Sequence, residues 1–343
     1  MLRLVLLVCL LPLVSPSFTA KDMLSAPRSS PAIPNPNGTL AVYTQSTYSF
    51  DTDSHTGGIF LLPISAPSNS TSESSRAPKL LVNSTDASGP IWLDNSTILY
   101  IVTKSGESSL HTLDLDSDKE TKVQTFHGAV GDLKSLRLDD DTVRIVFSAK
   151  VTPHGEIVRA NESSTPEVLV YDRLWVRHWD EWITPNRNTL FSGTLKRSKR
   201  GHYSVQHYPK NMLNSTDDIH DLESPVPPFG GTEDFDISTT HLAFVAKDPH
   251  LNPATNTASH VYIVSFNDST YLEKVNSGPG ASSSPVWSPD GKYLAYLEMR
   301  VPGYEADRTT SPLPQKITNS RTTCRGIYMG NPRKTVHDRR LGP

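Results

Sequence analysis

Two segments far apart in the chain are variants of one unit. Residues 89 to 104 read GPIWLDNSTILYIVTK, and residues 284 to 300 read SPVWSPDGKYLAYLEMR. Each runs from a proline through an apolar residue and a tryptophan to a polar turn, then into an alternating strand closing near Tyr100 or Tyr296. Weaker copies close on Tyr43, Phe147, Phe191 and Phe244, so the six aromatic anchors are separated by 57, 47, 44, 53 and 52 residues. A unit of this length holding several short strands cannot bury both of its faces alone, so successive units must stack.

That recurrence predicts an all-β chain, a β-propeller with six readable blade-like repeats of an incomplete seven-bladed ring. The turn chemistry agrees, because the Asp290–Gly291 pair in SPDGK suits a tight hairpin turn. Alternating stretches such as GGIFLLPI, SSLHTLDL and HVYIVSF follow the anchors and supply further strands. Trp92 and Trp287 then read as packing between sheets. A Ser- and Pro-rich stretch, residues 63 to 80, reads as a solvated insertion between blades. One segment breaks the pattern: in YDRLWVRHWDEW, Tyr171, Trp175, Trp179 and Trp182 recur at steps of four, four and three. This spacing predicts a short helical insertion near 168–182, its tryptophans docked on the propeller rim.

The first 17 residues have the form of a secretory signal peptide, with Arg3 ahead of the apolar run LVLLVCLLPLV and small residues at Ser15 and Ser17. No other apolar stretch approaches membrane-spanning length, so a secreted, extracellular product without a membrane partner is expected. Secretion makes seven acceptor triplets candidates for glycosylation, at Asn37, Asn69, Asn83, Asn95, Asn161, Asn214 and Asn267. Of the two cysteines, Cys9 lies in the leader and Cys324 is left alone, so no disulfide framework is expected. Residues 18 to 308 carry 25 basic and 35 acidic side chains, a net charge of −10, whereas residues 309 to 343 carry seven basic and one acidic. The basic excess sits on a stretch without apolar periodicity, which argues against nucleic-acid binding and predicts a disordered tail after the propeller.

The motifs of hydrolytic and metal chemistry are missing. There is no GxSxG, HExxH or phosphate-cradling glycine loop, so no catalytic residue, metal site or cofactor is assigned. His202 and His207 in HYSVQH alternate on an expected strand and point to opposite faces, which argues against a shared metal. The remaining candidates are Asp180 and Glu181, beside Arg173, Arg177 and His178. Either the two acids pair with Arg173 or Arg177 on the surface, or one of them faces a cavity and holds a substrate ammonium.

The ordered combination of these segments resembles the secreted dipeptidyl peptidases V of filamentous fungi, in the prolyl oligopeptidase group of serine peptidases. It is carried by LSAPRSSPAIPNPNGTLAVYTQSTYSFD, VYDRLWVRHWDEW, LFSGTL, SPVPPFGG and SSSPVWSPDGKYLAYLEMR, spread over residues 18 to 308. The resemblance implies a propeller that filters peptides for an α/β-hydrolase domain, and an acidic anchor for the free N-terminus of the peptide. After GYEADR the chain departs from that pattern, so a frameshift, a mispredicted intron or a truncation is expected there, and no triad residue carries over. The expected function is therefore the substrate-gating part of a secreted serine-type dipeptidyl peptidase, inactive alone. The alternative is a non-catalytic secreted propeller that binds peptides or glycans.

Overall fold

The computed structural model describes residues 18–64, 77–160, 168–172, 176–214, 222–269, 272–275, 278–303, 309–311 and 315–316. Both cysteines lie outside them. The described residues build five antiparallel sheets of four or five strands and one separate two-stranded hairpin. Blade 1 comprises Arg28–Ser29, Ile33–Pro34, Leu40–Ser49, Ser54–Pro63 and Lys79–Val82. Blade 2 comprises Ala87–Trp92, Thr97–Lys104, Glu107–Asp114 and Lys119–Phe126. Blade 3 comprises Val130–Arg137, Thr142–Val151, Arg187–Arg197, Tyr203–Val205 and Lys210–Asn211. Blade 4 comprises Phe235–Ile237, His241–Lys247, Ser259–Ser265 and Leu272–Lys274. Blade 5 comprises Ser282–Trp287, Tyr293–Met299, Thr309–Thr310 and Gln315–Lys316, so residues on both sides of 308 contribute to it.

The period-2 alternation of each second strand decides which neighbour each side chain meets. In blade 2, Ile98 and Tyr100 join Val42, Ile59 and Trp92 in the core shared with blade 1, while Leu99 and Ile101 join Phe126 and Phe147 in the core shared with blade 3. Blade 4 repeats this: Leu242 and Phe244 pack with Val146 and Leu190 of blade 3, and Ala243 and Val245 pack with Trp287 and Tyr296 of blade 5. The anchors Tyr100, Phe147, Phe244 and Tyr296 are all buried, as the stacking of units requires.

Two sequence expectations are corrected here. The anchors Phe147 and Phe191 do not mark separate repeats; they face each other in adjacent strands of blade 3, so the described chain holds five blades and not six. The rings stack with centroids 5.6 Å apart and planes 7° from parallel. The segment expected to be a helical insertion has no helix in its described residues. Arg177–His178 pairs with Glu181–Trp182 as a β-hairpin, Arg177 opposite Trp182 and His178 opposite Glu181. A two-residue turn at Trp179 and Asp180 makes the reversal, with Trp179 at φ 55°. Trp175 and Arg173 lie outside the described residues.

Candidate functional site

Ile33–Pro34 of blade 1 and the first strands of blades 2 to 5 line one cavity of about 620 Å³, whose walls include Ile33, Trp92, Leu133, Ile237 and Trp287. Hydrogen bonds step around this channel from blade to blade. Trp92 Nε1 donates to the Ile33 carbonyl at 2.8 Å, and Ser135 Oγ donates to the Trp92 carbonyl at 3.2 Å. Lys134 Nζ donates to the Phe235 carbonyl at 2.5 Å and approaches Asp236 Oδ1 at 3.5 Å, while Asp236 Oδ2 accepts the Trp287 backbone N–H at 2.7 Å. Asp236 thus ties blade 4 to both of its neighbours. Trp92 and Trp287 fill blade interfaces, as the repeat predicted.

Register equivalence brings out a set of acids that the motif search passed over. Ser135 pairs with Ile145 and Ile237 with Leu242, in each case two residues before an anchor, so Asp132 and Asp234 hold matching places in blades 3 and 4. Asp132 lies in a bulge of its strand with φ 51°, at the place where blades 2 and 5 carry Gly89 at 56° and Ser284 at 54°. Glu233 completes the cluster. A Cβ added to Gly231 would sit 3.1 Å from Glu233 Oε2 and 3.3 Å from Asp132 Oδ1, so oxygens from adjacent blades flank this glycine.

Burial pushes the Asp132 carboxyl up, a Ser148 hydroxyl donating at 2.5 Å opposes this, and the Glu233 charge adds to it. Burial likewise raises Asp234 to about 6 against the hydrogen bond from the Val226 N–H, with Glu233 and Asp132 repelling in the same sense. The signal in the sequence was slight: GDLKS had to be aligned with SGPIW and SSPVW, and then with EDFDI, before the two aspartates coincided.

The hairpin leans on the loop that feeds this cluster. Trp179 meets Phe229 edge to face at 5.3 Å, two residues before Gly231, and both rings are largely exposed. Asp180 and Glu181 are exposed on the hairpin, and Glu181 lies 3.8 Å from Lys150 of blade 3, with both side chains more than half exposed. Neither acid is a wall of the channel cavity. Arg177 places its guanidinium 5.9 Å from the centre of the Trp182 ring. His202 and His207 flank the short strand Tyr203–Val205 without belonging to it. Among the described residues no three His, Cys, Asp or Glu side chains come together as metal ligands.

No protein-family model matches the chain. It is 36% identical to the dipeptidyl-peptidase 5 of Schizosaccharomyces pombe over 297 residues, 85% of this chain and 40% of that protein. It is 34% identical to a probable dipeptidyl-peptidase 5 of Emericella nidulans over 311 residues, 85% of this chain and 41% of that protein. The chain therefore spans about two fifths of the length of the curated relatives it matches. Among solved structures, uncomplexed Pyrococcus horikoshii acylaminoacyl peptidase superimposes with a TM-score of 0.53 at 11% identity, covering 90% of this chain and 40% of that one. An acylaminoacyl peptidase bound to Z-Gly-Gly-Phe-chloromethyl ketone gives a TM-score of 0.51 at 11% identity, covering 85% of this chain and 39% of that one. These two likenesses concern the fold. The chain is a homologue of the fungal dipeptidyl-peptidases 5, matching their N-terminal part with a propeller-type array of five described blades.

Proposed function

We propose that the chain is the substrate-gating propeller part of a secreted serine-type dipeptidyl peptidase, a protein that releases dipeptides from the free N-termini of peptides. The observation that carries this reading is the 34–36% identity to dipeptidyl-peptidase 5 proteins across 85% of the chain. Its own residues supply no GxSxG nucleophile, so gating and binding are its tasks. Asp180 and Glu181, exposed on the hairpin, are the proposed anchors of the peptide ammonium. The contact of Trp179 with Phe229 favours this role, because it brings the hairpin tip onto the loop that runs into Glu233 and Asp234.

Secretion and glycosylation belong to the same reading. Asn37, Asn83, Asn95, Asn214 and Asn267 are exposed, which favours their modification, whereas Asn69 and Asn161 lie outside the described residues. The central cavity favours a second reading, a non-catalytic propeller that binds peptides or glycans.

The two are separated by incubating the purified 343-residue chain with a chromogenic dipeptide reporter. No release above background is expected. Robust turnover abolished by a serine-directed inhibitor would overturn the gating assignment.

A further inference from the structure

Between residues 18 and 316 the chain holds two pairs of adjacent basic residues, Lys196–Arg197 and Lys199–Arg200, separated by Ser198 in the run LKRSKRGHY. The fold treats them oppositely. Lys196 and Arg197 end the strand Arg187–Arg197 of blade 3, where they pair with Ser204 and Tyr203. Arg197 is tied in further: its backbone N–H donates to the Asp141 carbonyl at 2.7 Å, and its guanidinium lies 3.8 Å from Asp94 and 5.9 Å from the centre of the Tyr203 ring.

Lys199 and Arg200 form the tip of the turn that leads into Tyr203–Val205. Both are exposed, and neither side chain has an ion pair or hydrogen bond among the described residues. Two backbone hydrogen bonds close the turn, from the Ser198 N–H to the His202 carbonyl at 2.8 Å and from the Gly201 N–H to the Ser198 carbonyl at 2.9 Å. Gly201 makes the reversal at φ 82°. Opening this turn uncovers no core, because Ser198, Lys199, Arg200 and His202 are already exposed and the first buried side chain reached is Tyr203. Such a tip enters an enzyme cleft by local opening alone.

We propose that the Arg200–Gly201 peptide bond is a processing site for an endopeptidase that reads paired basic residues, its acidic pockets taking the free cations of Lys199 and Arg200. Water adds across the bond, leaving a carboxylate on Arg200 and an ammonium on Gly201. Encounter with such an enzyme rests on the secretion proposed above, whereas the susceptibility of the bond does not. The Arg197–Ser198 bond is spared, because a cleft takes its substrate as a free extended strand and Arg197 already lies in the ladder against Tyr203. The cut pieces stay together. Leu195 still faces Val205, Phe191 still faces Asn211, and the Tyr203 hydroxyl still donates to Asp94 at 3.0 Å.

The test incubates the folded 343-residue chain, and separately a peptide of residues 191–206, with a Lys-Arg-specific subtilisin-type endopeptidase and reads the cut positions by mass. The peptide is expected to be cut after both Arg197 and Arg200. Within residues 18 to 316 the folded chain should be cut after Arg200 alone, and the two pieces should coelute in native size-exclusion chromatography. Arg200→Gln should slow that cut by about a hundredfold or more. Lys196→Gln, exposed on the strand, should leave its rate within about twofold. Resistance of the folded chain at a dose that cuts the peptide, cutting after Arg197 at a comparable rate, an undiminished cut in Arg200→Gln, a larger loss in Lys196→Gln or separation of the pieces would each overturn the assignment. A peptide cut after Arg200 alone would overturn it as well, by placing the selectivity in the sequence and not in the fold. Failure of the gating reading appears separately, as dipeptide release by the uncut chain.

Discussion

Phe147 and Phe191 lie directly opposite each other on adjacent strands of blade 3, with their rings stacked at 5.6 Å. The pair belongs to the core between blades 2 and 3, four register steps from Val151 and Arg187, the pair at the base of the 35-residue excursion from 152 to 186 that holds the hairpin. Phe191→Ala would leave a cavity against Phe147 and is expected to cost about 3 to 5 kcal/mol. A urea denaturation midpoint would measure it, and a change below about 1 kcal/mol would show that the pair does not organise the blade.

The acids at matching places in blades 3 and 4 give the fold a pH dependence. The folded-state value of Asp234 is about 6, above its ordinary 3.8, so the folded chain holds a proton that the unfolded chain releases between those values. The contribution of Asp234 to stability therefore rises as pH falls from about 7 toward 4, and the raised Asp132 carboxyl acts in the same direction. Asp234→Asn keeps an oxygen to accept the Val226 N–H while removing the charge. Thermal unfolding between pH 4.5 and 7.5 should show the midpoint of wild type gaining on that of the variant as pH falls, and a difference independent of pH would contradict the raised Asp234 carboxyl.

The two repeat tryptophans should respond differently to the same substitution. Trp92→Phe breaks a 2.8 Å hydrogen bond that joins blades 1 and 2, whereas Trp287→Phe removes an N–H with no acceptor among the described residues. Both lose ring area, so the difference isolates the hydrogen bond. Trp92→Phe is expected to be more destabilising by about 1 kcal/mol. Chemical denaturation of both variants would check the order, and an equal or reversed order would contradict it.

Asp236 is the link whose loss should be felt across three blades. Asp236→Ala strands Lys134 beside the Phe235 carbonyl and leaves the Trp287 backbone N–H without its acceptor, for an expected loss of about 2 to 3 kcal/mol. Glu181→Gln is the control, because its pairing with Lys150 is exposed at both ends and should change stability by less than about 0.5 kcal/mol. Comparable effects of the two substitutions would undo the distinction between a link of the channel wall and a surface contact.

The architecture was legible in the residues because a blade states itself locally. The Pro–apolar–Trp–turn–strand unit at 89–104 and 284–300 needs only alternation and turn chemistry, and burial of Tyr100, Phe244 and Tyr296 follows from stacking. The blade count was not legible at Phe147 and Phe191. An aromatic at the end of an alternating strand looks the same in the second strand of a blade as in the third, and only hydrogen bonding across the excursion separates the two. The hairpin was misread for a related reason: the steps among Tyr171, Trp175, Trp179 and Trp182 match a helix face, yet a backbone reversal at Trp179 erases that period.

The sequence by itself therefore determined the strand-rich repeat, its aromatic filling and its kinship, since each rests on neighbouring residues or on an ordered series of them. Tertiary structure alone decided that Asp132, Glu233 and Asp234 share one blade interface and that Trp287 borders the channel with an unsatisfied donor. Asp132 and Asp234 stand about a hundred positions apart along the chain. They come into the same interface because successive blades pack side by side, and their raised proton affinities arise first from the burial of each carboxyl in that packing.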